Sequence, residues 1–587
     1  MKTHKLILLT GILLSILVVV SCKKYSGDDE TDDDDDEVTI VDAETGNAED
    51  HEDASDYTWE GDTVTAIILN ETSITVSGEG ATVSGTTATI SASGVYLVSG
   101  TLNNGKIIVD TEDEETVKLV LNGVGITCSN SAPIFVKSAE KAVVILPDGT
   151  TNYLTDGTSY SYSSTDEDEP NATLFSKSDL SISGNGSLVI DANYNDGITS
   201  KDGLIIASGN IQINSVDDGI RGKDYLIIES GTINVTSGGD GFKSDNDEDD
   251  AKGYISIETG TITITSGNDA MQATTDLLIA DGTFNLKSGG GSSSSVGSSE
   301  SAKGLKSDLN IIIETGDFTI NSADDAIHSG SLITINSGTF NLASGDDAIH
   351  SDNSVTINGG DITITKSYEG IEGPYITLNA GNIYVTSSDD GLNASKGNGG
   401  ESNDGSLLEI NGAYLVVKSQ GDGLDSNGSI DITDGTVLVT GPSSSVEVGL
   451  DYNGSCTISG GLVLISGPNS NMTQAALSSS DQNSVLVRFS SSKSSSTLFN
   501  VQDASGNSLV TYQPSNSYTS ILFSSSELKQ GSTYYVYTGG SYSGGTETDG
   551  LYTGGTYTGG TQFSSFTVSS AVTTTGSSSG SSGPGGR

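Results

Sequence analysis

Nine times between Asn195 and Leu424 the chain repeats one short phrase: a small, polar or acidic residue, an acid, Gly or Ala, then a large apolar residue. It reads Asn195-Asp196-Gly197-Ile198, Asp217-Asp218-Gly219-Ile220, Gly239-Asp240-Gly241-Phe242 and Asn268-Asp269-Ala270-Met271. It returns as Asp324-Asp325-Ala326-Ile327, Asp346-Asp347-Ala348-Ile349, Tyr368-Glu369-Gly370-Ile371, Asp389-Asp390-Gly391-Leu392 and Gly421-Asp422-Gly423-Leu424. The acid advances by 22 residues from Asp196 to Asp218 and from Asp218 to Asp240. It advances by 22 again from Asp325 to Asp347 and on to Glu369, then by 21 to Asp390. A fixed period of this size marks a solenoid in which each repeat is one coil. An acid returning to the same place in every coil draws a line of carboxylates along the outside.

Each period also carries short alternating apolar runs, such as Leu204-Ile205-Ile206, Ile211-Gln212-Ile213, Ile262-Thr263-Ile264 and Ile333-Thr334-Ile335. Period-2 alternation places one set of side chains inward. Two such strands flank a turn containing Gly, and a third, shorter strand carries the apolar residue of the acid phrase. Three strands in about 22 residues predict an all-β fold, a right-handed parallel β-helix over 174–467. The period breaks at 246–252, 289–301 and 395–404, and insertions in solenoids emerge as loops, often on a binding face.

The flanks read differently. Residues 1–22 form an export signal, with Lys2, His4 and Lys5 ahead of the apolar stretch Leu6 to Val20. Val19-Val20-Ser21-Cys22 looks like a bacterial lipobox, so Cys22 becomes the lipidated N-terminus; a transmembrane anchor is the alternative, disfavoured because the stretch is short for a span. Residues 23–57, with the acidic run Asp32 to Glu37, read as an extended, self-repelling tether. Residues 58–173 predict an N-terminal β cap joined to the first coils, because an end coil without a cap exposes core and strand edges. Residues 468–570 predict a small sandwich-like β module, with 539–562 as a flexible Tyr-Thr-Gly-Gly loop before a last strand, and 571–587 a disordered tail. Cys128 and Cys456 lie far apart and read as small buried residues.

The net charge of −54, from 78 acids against 24 Lys and Arg, excludes nucleic-acid binding through phosphates. Such a surface attracts divalent cations and repels acidic polymers unless cations bridge them. The expected localisation is the bacterial cell envelope, outside the cytoplasm, as a lipid-anchored and surface-exposed monomer.

Several phrases together resemble the bacterial cell-surface carbohydrate-binding proteins built on a parallel β-helix, related in fold to calcium-dependent pectate lyases. They are Tyr194-Asn195-Asp196-Gly197-Ile198, Gly222-Lys223-Asp224, Asp240-Gly241-Phe242-Lys243-Ser244-Asp245-Asn246-Asp247, Ala302-Lys303-Gly304-Leu305-Lys306, Asp325-Ala326-Ile327-His328-Ser329, Ser367-Tyr368-Glu369-Gly370-Ile371-Glu372-Gly373 and Glu527-Leu528-Lys529-Gln530-Gly531. The resemblance spans about residues 60 to 570. It implies binding of plant or microbial cell-wall polysaccharide, acidic glycans included, with calcium along the helix.

Calcium takes six to eight oxygens at about 2.3–2.6 Å, and parallel coils stack about 4.8 Å apart, so equivalent acids of neighbouring coils can share an ion. The candidate ligands are Asp196, Asp218, Asp240, Asp245, Asp247 and Asp269. The competing reading is that these Asp side chains cap turns by accepting backbone N–H groups. Lys243 and Lys306 are candidates for glycan contact. A calcium-dependent lyase would need a base for the C5 proton, and a Lys of lowered pKa can serve; the alternative is that these Lys offset the acidic column. His328 and His350, one coil apart, are a side-chain ladder, a sugar platform or a transition-metal pair. Tyr368 is a candidate stacking surface. The chain therefore reads as a non-catalytic, calcium-loaded polysaccharide binder, polygalacturonate included, with a pectate-type lyase as the alternative and a protein-binding spacer as a weaker third.

Overall fold

The computed structural model describes residues 51, 53, 55–162, 164, 168–297, 300–397, 402–443 and 446–577. The export signal with Cys22, most of the acidic tether and the tail from 578 onward lie outside the described residues.

The fold is all-β, a parallel β-helix. Each coil contributes one strand to each of three parallel ladders. The first ladder is the short one, made of strands such as Ile220–Gly222, Phe242–Ser244 and Met271–Ala273. The second runs through Tyr225–Ile228, Tyr254–Ile257 and Leu277–Ile279, the third through Thr232–Ser237, Thr261–Ser266 and Thr283–Ser288. Register repeats coil after coil, so like stacks on like: Ile233 pairs with Ile211 below and Ile262 above. All three are fully buried. Burying such a side chain contributes about 1.5–3 kcal/mol, and the stack repeats along the whole core. Phe284, Phe318 and Phe340 form an aromatic pile inside it, with ring centroids 4.5 and 4.6 Å apart and planes within 5° of parallel.

The turn between the second and third ladders explains one column of glycines. Gly209, Gly231, Gly260, Gly282, Gly316 and Gly338 take φ between 114° and 146°, a region costly for other residues. A Cβ on Gly231 would also stand 2.8 Å from the Gly209 carbonyl oxygen of the preceding coil. Beside this turn an amide ladder climbs the surface. Asn358 donates to Asn336, Asn379 to Asn358 and Asn411 to Asn379, at 2.8–3.0 Å.

Both ends are closed by antiparallel pairing. At the N-terminal end Val64–Glu71 pairs with Ile74–Ser77, and Ala81–Ser84 with Thr87–Ile90. Parallel stacking already begins with Val64–Glu71 beside Gly94–Leu102, within the segment expected to join cap and coils. At the other end Leu462–Gly467 pairs antiparallel with Tyr518–Ser524, which ends the third ladder. A separate six-stranded sheet is built on Phe499–Gln502, Ser508–Tyr512 and Thr533–Thr538. Its Phe499, Tyr512 and Val536 pack with Val416, Leu438 and Leu464 from the outside of the last coils.

Three expectations are corrected. The start of the segment 571–587 is not disordered: Val572–Gly576 pairs in parallel with Ser484–Lys493. Residues 539–562 are not a loop: Ser541–Ser543 pairs with Thr556–Thr558, and Thr546–Thr548 with Leu551–Thr553. Alternating Thr and Tyr supply strands, and glycines at positive φ, such as Gly544 and Gly545, supply the tight turns. The C-terminal end of the tether does not stand free either. Asp56 pairs with Lys141 at 2.7 Å, Lys118 donates to the Ser55 and Thr58 carbonyls, and the His51 ring stacks on Tyr225 at 4.1 Å. Cations and aromatics on the solenoid flank hold it. Cys128 and Cys456 are buried free thiols.

Candidate functional site

The short-strand ladder presents a flat face with two charged columns. The acid of each phrase precedes the inward apolar residue by two positions; the residue after the apolar one points outward again. The first column runs Asp196, Asp218, Asp240, Asp269, Lys303, Asp325, Asp347, Glu369, Asp390 and Asp422. The second runs Thr199, Arg221, Lys243, Gln272, Lys306, His328, His350, Glu372, Asn393 and Asp425, in register from coil to coil.

The first column settles how an Asp here can be both a turn cap and a candidate ligand. One carboxylate oxygen accepts the backbone N–H of the next coil: Asp240 N donates to Asp218 Oδ1 at 2.8 Å, Asp269 N to Asp240 Oδ1 at 3.0 Å, Asp347 N to Asp325 Oδ1 at 3.0 Å and Glu369 N to Asp347 Oδ1 at 3.0 Å. Lys303 N donates in the same way to Asp269 Oδ1, and Val448 N to Asp422 Oδ1. The second oxygen is left for the second column.

In the first half of the face that second oxygen meets cations. Lys243 Nζ lies 2.6 Å from Asp240 Oδ2 and 3.4 Å from Asp218 Oδ2. Lys306 Nζ lies 3.4 Å from Asp269 Oδ2. Lys303, which replaces the acid in its own coil, reaches forward to Asp325 at 2.6 Å and Asp324 at 2.9 Å. Asp245 takes both its contacts from Arg221, at 2.6 and 3.0 Å, and Asp247 is exposed. Asp196 accepts from Thr199, Asn195 and Asn171; burial and Asp218 push its pKa up to about 7. Asp240 rises to about 6, chiefly by burial, against the pull of Lys243. Thus Asp196, Asp218, Asp240 and Asp269 share one column, while Asp245, just before the first insertion, and Asp247, on it, stand outside the column. Tyr368 is half-exposed beside the column, its hydroxyl pushed up to about 12 by Asp389.

The second half lacks these cations. Among the described residues no ion pair reaches Asp390, Asp422 or Asp425. Burial first, and neighbouring carboxylates after it, push Glu369, Asp422 and Asp425 up to about 8 and Asp390 to about 7. Asp347 is also pushed up, by burial and by Glu372. Asp422, Asp425 and Asp451 each offer an oxygen within 4.8 Å of the others; Asp451 also accepts from Tyr452 N and Gln474 Nε2. Between the halves His328 and His350 meet edge to face, ring centroids 4.9 Å apart. Glu372, Asp425 and Asp451 escaped the sequence reading. An i+3 spacing from each phrase acid would have found the first two, because a residue three further along a tight turn and short strand faces the same way.

A family model described as carbohydrate-binding domain-containing protein matches residues 84–348 and 346–488. A carbohydrate-binding domain-containing protein of Acetivibrio thermocellus is 45% identical over 122 residues, 21% of this chain and 43% of that protein. The chain spans less than half the length of that relative. A solved structure, the polysaccharide lyase-like protein from C. thermocellum as a gadolinium derivative, is 38% identical over 38% of this chain and 91% of that one, with a TM-score of 0.37.

Proposed function

The chain belongs to the family of carbohydrate-binding domain-containing proteins, and from that premise we propose that it is a calcium-loaded, non-catalytic lipoprotein of the cell surface, anchored through Cys22. It binds cell-wall polysaccharide, uronic-acid glycans included, on the short-strand face. The observation that carries this reading is the change in charge along the face. The first half neutralises its own carboxylates with Arg221, Lys243, Lys303 and Lys306. The second half gathers Glu369, Glu372, Asp390, Asp422 and Asp425 with no Lys or Arg in ion-pair contact among the described residues. Buried carboxylates at this density stay ionised at neutral pH only when a cation joins them. Calcium suits them, because it accepts a flexible shell of carboxylates, carbonyls and water. A shell the protein fills only in part leaves positions for a glycan carboxylate.

The state of the cations favours binding over turnover. A lysine acting as base needs a lowered pKa. Although burial disfavours their charged forms, adjacent carboxylates push Lys243, Lys303 and Arg221 upward, so they stay protonated. They suit a glycan's carboxylates and hydroxyls as donors.

Retention on a polygalacturonate affinity gel tests the reading. Retention should require calcium, vanish in EDTA, and weaken at least about tenfold for Asp422→Asn with Asp425→Asn, roughly the loss of 1.4 kcal/mol. Equal retention with calcium and with EDTA refutes cation bridging. Release of ultraviolet-absorbing unsaturated uronates, abolished by Lys243→Ala, would make the protein a lyase.

A further inference from the structure

The middle of the face differs from both halves, because it offers nitrogen. Asp325 Oδ2, almost fully buried, is approached by His328 Nδ1 at 3.0 Å and by His350 Nδ1 at 3.7 Å. These donor atoms lie within 4.8 Å of one another. The edge of a zinc tetrahedron with bonds of about 2.0–2.1 Å is roughly 3.3 Å, so the two separations bracket it. Asp347 Oδ2 lies 3.7 Å from His350 Nδ1, in an adjoining group with Glu372 that shares His350. His328 Nδ1 is buried and has no hydrogen-bond partner, because its contact with Asp325 is not aligned as an N–H···O bond. A buried ring nitrogen outside any aligned hydrogen bond is costly, and a metal ion would use its lone pair. The far nitrogen of His350 faces Glu372 Oε2 at 3.6 Å and Asp352 Oδ1 at 3.7 Å. These contacts are longer than hydrogen bonds, and a small side-chain movement would bring either carboxylate onto the distal N–H, the support metal-bound imidazoles usually have.

We propose that Asp325, His328 and His350, with Asp347 as fourth donor, form a binding site for a divalent transition metal of the zinc class, chemically distinct from the all-oxygen acids nearer the C-terminus. Lys303 Nζ, 2.6 Å from Asp325 Oδ2, occupies part of that space; on binding it gives up Asp325 and keeps Asp324, 2.9 Å away. Two imidazoles select against calcium, which prefers oxygen, and toward zinc, cobalt, nickel or copper. The site lies in consecutive coils between the cation-rich and cation-poor halves. A metal here would fix the outward column where a glycan crossing from one half to the other must pass.

The test uses the full chain, stripped with EDTA and loaded with cobalt(II) in millimolar calcium. The expected result is one tightly held cobalt per chain, with the intense visible bands of a four- or five-coordinate ion bearing nitrogen ligands, displaced by zinc and not by calcium. His328→Ala with His350→Ala should abolish the bands and lower zinc affinity at least about a hundredfold, while leaving calcium uptake unchanged. Both rings are on the outside of the ladder, so the variant should fold; should it not, His350→Gln alone must shift the cobalt spectrum. Weak octahedral absorption in the wild-type chain, displacement by calcium, or uptake unchanged without the two histidines would overturn the proposal. None of these readouts involves polysaccharide, so this site and the glycan reading fail separately.

Discussion

An aspartate at the head of a short strand divides its two oxygens between two tasks. Asp218, Asp240, Asp325 and Asp347 each spend Oδ1 on the N–H of the next coil. What the remaining oxygen does depends on the residue three positions on. Beside Lys243 it is neutralised; beside Asp425 it is not. The repeated phrase made the column of acids legible in sequence. It hid the division of labour, because both tasks select the same residue and the deciding partner lies outside the phrase. A pH dependence follows. Glu369, Asp422 and Asp425 are pushed up to about 8, against about 4 in the unfolded chain. The folded state therefore binds protons more tightly than the unfolded one. The stability these groups add is present below pH ~4 and is lost as pH climbs through about 8. In EDTA the melting temperature should fall between pH 5.5 and 8. Calcium should restore it at pH 8, releasing protons that calorimetry in buffers of different ionisation heat will count. Asp422→Asn should raise the melting temperature in EDTA at pH 8, a stabilisation on the order of 1–2 kcal/mol, and shrink the gain from calcium. A melting curve insensitive to pH in EDTA would refute this account.

Elements here are set by repetition. Alternation in runs such as Ile262-Thr263-Ile264 specified strands, and the 22-residue period specified that they stack in parallel, since no short turn can return a coil to the same register otherwise. The three insertions were legible for the same reason. What the period could not carry was structure outside it. The Tyr-Thr-Gly-Gly segment forms hairpins because its glycines turn left-handed, a feature that also fits a loop when no partner strand is known. The core offers a sharper test of stacking. Phe318 lies between Phe284 and Phe340 in register, with planes nearly parallel. Phe318→Ala removes one ring and strands two faces, so the cost should be about 3–5 kcal/mol. Phe318→Leu should cost less than half as much, because apolar volume is largely kept. Equal costs in denaturant titrations would mean that the pile is not a continuous unit.

At the scale of the molecule the solenoid must end, and how it ends determines whether the chain stays soluble. A parallel ladder has an open edge, and the last coils carry apolar residues on their outer surface, where earlier coils carry Thr and Asn. Val416, Leu438 and Leu464 occupy positions equivalent to Thr363 and Tyr384 lower in the same ladder. These residues are buried only because the C-terminal module covers them. The sequence showed that a cap was needed and placed a β module there; that the module also wraps the flank was not legible, because outward-facing valine and leucine look like core until the partner sheet is seen. Removing the module beyond Gly467 should therefore uncover both a strand edge and an apolar flank. The shortened chain should self-associate in size-exclusion chromatography, despite the mutual repulsion of strongly negative chains. Val416→Thr with Leu438→Thr and Leu464→Thr in the shortened chain should reverse much of that association, because the flank is then as polar as in earlier coils. If association persists unchanged in the triple variant, the open edge alone drives it, and the module acts as an end plug with no role for the flank. A shortened chain that stays monomeric would overturn both.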